Sequence, residues 1–121
     1  MKSKESPEDY LESIYVLSRQ NGDVRSVDIA NYFGYTKASV SVAMKKLRES
    51  NMILMDRYGK ITLTDAGREV ASRVYDRHEV LTNFLVSLGV SAEVAENDAC
   101  RMEHILSEET FQKIKTIVKE K

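Results

Sequence analysis

A mainly α-helical chain is predicted by three features of the sequence. The 121 residues include one Pro and five Gly, too few breakers for a barrel of short strands and tight turns. Apolar residues recur at three- and four-residue spacing over several long stretches. Ser or Thr stands ahead of most of those stretches, where a helix needs a side-chain oxygen for its first free N–H groups. The length suits one ordinary domain or two small ones sharing a core, and 42% hydrophobic residues suffice to build it.

Taken in order, Ser6 reads as an N-cap, with Pro7 at the first helical position and Asp9 as a capping-box acid. That helix turns Leu11, Ile14, Tyr15 and Leu17 inward and ends near Asn21-Gly22. Arg25-Ser26 is short and could be extended. Val27, Ile29, Ala30 and Phe33 form a brief helix stopped by Gly34. Thr36 caps the next, over 37–50, with Val40, Ala43, Met44 and Leu47 as its apolar stripe. Ile53-Leu54-Met55 and Ile61-Thr62-Leu63 are strand-like runs around Asp56-Arg57-Tyr58-Gly59-Lys60, which makes a hairpin. Thr64-Asp65 caps a long helix with Val70, Val74, His78, Leu81 and Leu85 on one side, ending at Leu88-Gly89. Ser91 caps a helical run through Leu106, and Ser107-Glu108-Glu109 caps a last one through Lys119.

Helix, helix, helix, hairpin is the order of a winged helix-turn-helix, whose second paired helix enters the major groove while the hairpin lies along the backbone. The pair here is 27–33 and 37–50. The net charge of −1 conceals a segment, 35–60, with six bases against two acids. Thr36, Lys37, Ser39, Ser41, Lys45 and Lys46 on the second helix, with Arg57 and Lys60 on the hairpin, are the candidate contacts to double-stranded DNA. No Arg, Asn or Gln stands near the first turn of that helix to grip a base edge with two hydrogen bonds. Readout partly through DNA shape and water follows. The competing reading is a structural helical hairpin with a solvated basic face.

Cys100 is the only cysteine, which excludes an internal disulfide and fits a reducing compartment. No apolar run reaches the roughly 18 residues of a membrane span, and MKSKESPEDY is too polar for a signal peptide. A cytoplasmic protein is expected.

Both histidines lie in the acidic C-terminal half. On a continuous helix Cys100, Glu103 and His104 fall within an arc of about 100°, bringing thiolate, carboxylate and imidazole to one face, the donors of a transition-metal half-shell. Each also has an ordinary explanation: a small buried hydrophobe, an ion-paired acid, a hydrogen-bonded core histidine. His78 sits on an apolar stripe and Asp9 and Glu12 in a first helical turn, so each of these alone is equally open.

The stretches Pro7-Glu8-Asp9-Tyr10-Leu11-Glu12-Ser13-Ile14-Tyr15, Val27-Asp28-Ile29-Ala30, Ser39-Val40-Ser41, Leu63-Thr64-Asp65-Ala66-Gly67, Arg77-His78-Glu79 and Cys100-Arg101-Met102-Glu103-His104-Ile105-Leu106-Ser107 tie these clusters together. In this order the chain resembles the diphtheria-toxin-repressor family of metal-dependent regulators, especially its short manganese-transport-regulator branch. The resemblance implies Asp9, Glu12, His78, Cys100, Glu103 and His104 as metal ligands. Cys100 departs from the manganese branch, which has Glu there, whereas the iron repressors have Cys; conversely they have Met where this chain has Asp9. Thr82 and Glu96 stand where the iron type's ancillary site needs an acid and a His. With the sequence ending near 121, the SH3-like third domain of the iron repressors is expected to be absent.

The implied architecture is a winged helix-turn-helix at 1–72, then an all-helical metal-binding and dimerisation domain at 73–121. The implied function is a repressor of metal-uptake genes that binds operator DNA as a homodimer when loaded with Fe²⁺, with Mn²⁺ a close second and Zn²⁺ or Co²⁺ able to bind in vitro. Two other classes compete with this reading: a metal-independent regulator sensing oxidation at Cys100 or a small ligand, and a metalloenzyme. Against the enzyme, His78-Glu79-Val80-Leu81-Thr82 lacks the second His of a zinc-protease helix, and no phosphate loop or serine-nucleophile motif is present.

Overall fold

The computed structural model describes residues 6–119. Their order is α1 (Pro7–Asn21), α2 (Ser26–Phe33), α3 (Lys37–Glu49), β1 (Ile53–Met55), β2 (Ile61–Leu63), α4 (Asp65–Ser87), α5 (Ala92–Met102) and α6 (Glu108–Lys119). The chain divides into two compact units between Arg73 and Val74. No described helix is long and apolar enough to cross a membrane.

In the first unit, local chemistry sets the helix ends. Ser6 Oγ accepts the Asp9 N–H at 3.0 Å, and Thr36 Oγ1 accepts the Ser39 N–H at 3.1 Å. Gly34 takes a left-handed φ of 77° and closes α2 through its N–H to the Ala30 carbonyl, a conformation open to glycine at little cost. Leu11, Ile14, Ile29, Val40, Met44, Ile53 and Ile61 lie in the buried apolar core. Tyr10, Phe33 and Tyr35 pack α1 against the α2–α3 turn, with Phe33 and Tyr35 stacked at 4.8 Å.

The hairpin pairs Ile53 with Leu63, Leu54 with Thr62 and Met55 with Ile61, so Ile53 and Ile61 face the core while Leu54 and Thr62 face solvent. At its tip Asp56 Oδ1 accepts the N–H groups of Tyr58 and Lys60. Arg25 has the extended backbone expected of it and Ser26 opens α2, but the residue that bridges to the hairpin is Val24. Its carbonyl accepts the Ile61 N–H at 2.7 Å and adds a third edge to the hairpin. Arg25 is the N-cap of α2, and its N–H donates to Asp28 Oδ2. Two side chains reinforce this tie: Lys60 pairs with Asp23 at 3.1 Å, and Arg25 Nε donates to the Tyr58 carbonyl at 3.3 Å.

Thr64 starts α4 by accepting the Gly67 N–H, while its hydroxyl donates to the Asn51 carbonyl and its N–H to the Met52 carbonyl. Gly67 packs directly on Met52, and a Cβ there would collide with the Met52 carbonyl oxygen.

In the second unit Leu81, Ala99 and Phe111 form a small buried cluster, with Val80, Met102, Leu106 and Ile114 packed on it. Ser91 and Ser107 cap α5 and α6 through the Val94 and Thr110 N–H groups. The expected run of α5 through Leu106 is corrected: the helix stops at Met102. His104 and Ile105 bond three residues back, to Arg101 and Met102, which tightens the chain into a turn. The carbonyls of Glu103 and Leu106 are taken by the Arg77 guanidinium, so the turn is held without a glycine.

Candidate metal centre

Asp9 and Glu12 are one helical turn apart on α1, which puts their carboxylates on one side of that helix. Asp9 follows the Ser6 cap, and Glu12 is buried although ionisable, where a charge is costly unless it is paired.

In the second unit, Glu103 is the centre of the arrangement. It is the C-cap of α5, still in helical conformation, and only 3% exposed. Its Oε1 lies 3.0 Å from His78 Nδ1 on α4, and its Oε2 lies 3.6 Å from His104 Nε2. Cys100 is buried in the last turn of α5, one turn before Glu103. The common helical face argued from the sequence holds for Cys100 and Glu103. It fails for His104, which lies in the tight turn after the helix and is exposed, yet the turn still brings its ring to the Glu103 carboxylate.

A carboxylate flanked by two imidazoles, with a thiol one turn away, is a borderline-hard donor set of the kind that holds first-row divalent metals. The residues therefore fit a metal. Burial of Cys100 is the opposite of what a redox-sensing thiol needs, since such thiols are solvent-accessible.

Of the candidate DNA contacts, Lys37, Ser41, Lys45 and Lys46 are exposed on α3 and Arg57 on the hairpin tip. Thr36 and Ser39 are engaged with each other in the α3 cap. Lys60 is half-buried and paired with Asp23, an interaction that counting charges along the sequence could not reveal.

Two family models match this chain. Residues 3–60 match the N-terminal DNA-binding domain of iron-dependent repressors, and residues 64–120 match their metal-binding and dimerisation domain. The chain belongs to the iron-dependent repressor family. The transcriptional regulator MntR of Escherichia coli O157:H7 is 39% identical over 108 residues, covering 89% of this chain and 70% of its own. MntR of Bacillus subtilis strain 168 is 34% identical over 113 residues, covering 93% and 80%. An HTH-type regulator of Methanocaldococcus jannaschii is 34% identical over 113 residues, covering 92% and 90%. Among solved structures, that of the manganese regulator SloR superposes with a TM-score of 0.84 at 27% identity, covering 96% of this chain. The chain spans about half, 54%, of the length of that structure.

Iron-dependent repressors are metal-dependent transcriptional repressors, and the relatives found are regulators rather than enzymes. The mainly α architecture with a small hairpin is the family's.

Proposed function

We propose that this chain represses metal-uptake genes in the cytoplasm by binding operator DNA as a homodimer when a divalent metal is bound. Residues 1–72 serve as the DNA-binding module and 73–121 as the metal-binding and dimerisation module. Asp9, Glu12, His78, Cys100, Glu103 and His104 are the proposed ligands. The observation that carries this reading is the buried Glu103 carboxylate with His78 at 3.0 Å and His104 at 3.6 Å. A bound cation would supply positive charge to offset the carboxylates among these ligands.

Control requires that the DNA-competent arrangement bind metal more tightly than the others, since equal affinity shifts nothing. In the dimer the two α3 helices must enter grooves about one turn, ~34 Å, apart. Lys37, Lys45, Lys46 and Arg57 neutralise phosphates there, with Thr36, Ser39, Ser41 and Lys60 as further contacts.

Mn²⁺ is put ahead of Fe²⁺, reversing the order expected from Cys100, because similar solved structures are those of a manganese regulator and a manganese-dependent repressor. Zn²⁺ and Co²⁺ are expected to bind in vitro, since sites of this kind favour them intrinsically.

The test is a mobility-shift titration of the chain on the region upstream of its own gene or a neighbouring metal transporter. Mn²⁺, anaerobic Fe²⁺, Zn²⁺ and EDTA are compared on wild type and His78→Ala. Metal-dependent retardation abolished by EDTA and by the substitution is expected. Retardation indifferent to both would remove the metal from the mechanism.

A further inference from the structure

Two consecutive residues of α4 hold Glu103 by different handles. His78 Nδ1 lies 3.0 Å from its carboxylate, and Arg77 Nη1 donates to its carbonyl at 3.0 Å. The same Nη1 reaches the Leu106 carbonyl at 3.0 Å, and Nη2 reaches Glu108 Oε1 at 2.9 Å. The guanidinium also lies over the Phe111 ring, 4.9 Å from its centroid, and the side chain is only 15% exposed.

The end of α5 explains why such a device is needed. Helix C-termini leave carbonyls without intrahelical partners, and a left-handed glycine commonly closes them. Here Glu103 itself is the C-cap, with helical φ and ψ of −62° and −21°, and no glycine follows before Ser107. A guanidinium supplies what the missing glycine would: planar donors for two carbonyls at once, and positive charge at the negative end of the helix dipole. A lysine ammonium is a point donor without the flat face that stacks on Phe111.

We propose that Arg77 is the positioning residue of the metal half-site. It fixes the backbone of Glu103, and through the Glu103–Leu106 turn that of His104, so the Glu103 carboxylate meets His78 and the His104 ring lies against that carboxylate. This inference rests on the metal-binding reading above. Groups that orient metal ligands in this way typically contribute 10–100-fold in metal affinity.

The experiment titrates the full chain with Mn²⁺, followed by the electron paramagnetic resonance of the free ion, and with Co²⁺, followed by its visible absorption. Wild type, Arg77→Met, Arg77→Lys and Glu108→Gln are compared, each first shown to be folded by circular dichroism. Arg77→Met should bind about 10–100-fold more weakly, with Arg77→Lys and Glu108→Gln between it and wild type. In the metal-free variants, amide exchange should accelerate at 103–106 while the α1–α3 core is unchanged. Should Arg77→Met not fold, the two milder variants decide. Folded variants that bind both metals within twofold of wild type, with unaltered Co²⁺ spectra, overturn the positioning role and leave Arg77 as a fold-stabilising residue only. Wild type that binds neither ion overturns the metal reading itself.

Discussion

Replacing Gly67 by Ala sets two physical effects of opposite sign against each other. Gly67 lies in the first turn of α4, and in a helix interior Ala is favoured over Gly by about 1 kcal/mol. Propensity alone therefore predicts a more stable protein. The packing predicts the reverse, because the added Cβ collides with the Met52 carbonyl oxygen, with the carbonyl carbon 3.0 Å away and Leu63 Cδ2 at 3.4 Å. That oxygen is not the end of a flexible side chain. It is backbone between α3 and β1 and accepts the Thr64 N–H at 3.1 Å, so relief must shift either the strand or the start of α4. Forcing atoms into a packed contact costs typically about 1–3 kcal/mol, and a clash with fixed backbone falls in the upper part of that range, about 2–3 kcal/mol. The net expectation is a loss of about 1–2 kcal/mol, read as a lower urea midpoint by circular dichroism with an unchanged slope. Ala66→Gly, at the exposed neighbouring position, reports propensity without the clash. A Gly67→Ala midpoint equal to or above that of wild type would refute the packing argument.

Three further outcomes are expected. The backbone N–H of Lys60, then that of Tyr58 and the charges of Arg25 and Lys60, hold the Asp56 carboxyl below its ordinary value of 3.8. A depressed folded-state value means stabilisation that is present above the unfolded value and lost as pH falls through the folded one. An Asp56 carboxyl carbon titrating in NMR at or above 3.8 would contradict the hairpin-tip geometry. Asp23→Asn should release Lys60 for a phosphate, steepening the salt dependence of non-specific DNA binding by about one unit of log–log slope; an unchanged slope would mean that Lys60 makes no such contact. Cys100→Glu, which exchanges a soft ligand for a hard one, should raise the Mn²⁺ response relative to Co²⁺ and Zn²⁺ in DNA-binding titrations. An unaltered ranking would take Cys100 out of metal selection.

What the sequence made legible is what neighbours in the chain decide. Ser6, Thr36, Ser91 and Ser107 announce helix starts because each hydroxyl answers an N–H three residues on. The hairpin was equally readable from its alternation and its Asp56 turn. The end of α5 was not, because the carbonyls of its C-cap Glu103 and of Leu106 in the turn beyond are claimed by Arg77, 26 and 29 residues earlier, and no local signal records that. The same holds for Val24, whose strand character depends on Ile61, and for Lys60, whose charge looks free until Asp23 is placed beside it. At the metal half-site, the residue types were visible in the sequence, while the tight turn that carries His104 came only with the structure.

The stitch of Val24, Asp23 and Arg25 onto the hairpin has a mechanical consequence. It joins the tip to the loop that launches α2, and since α2 packs on α3 the hairpin and, on the proposed function, the reading helix form one template. Such a template cannot splay to follow an imperfect groove. On the proposed function, the bending and twisting needed at a mismatched operator fall on the duplex, and flexible base steps between half-sites become the measure of which promoters this protein tolerates.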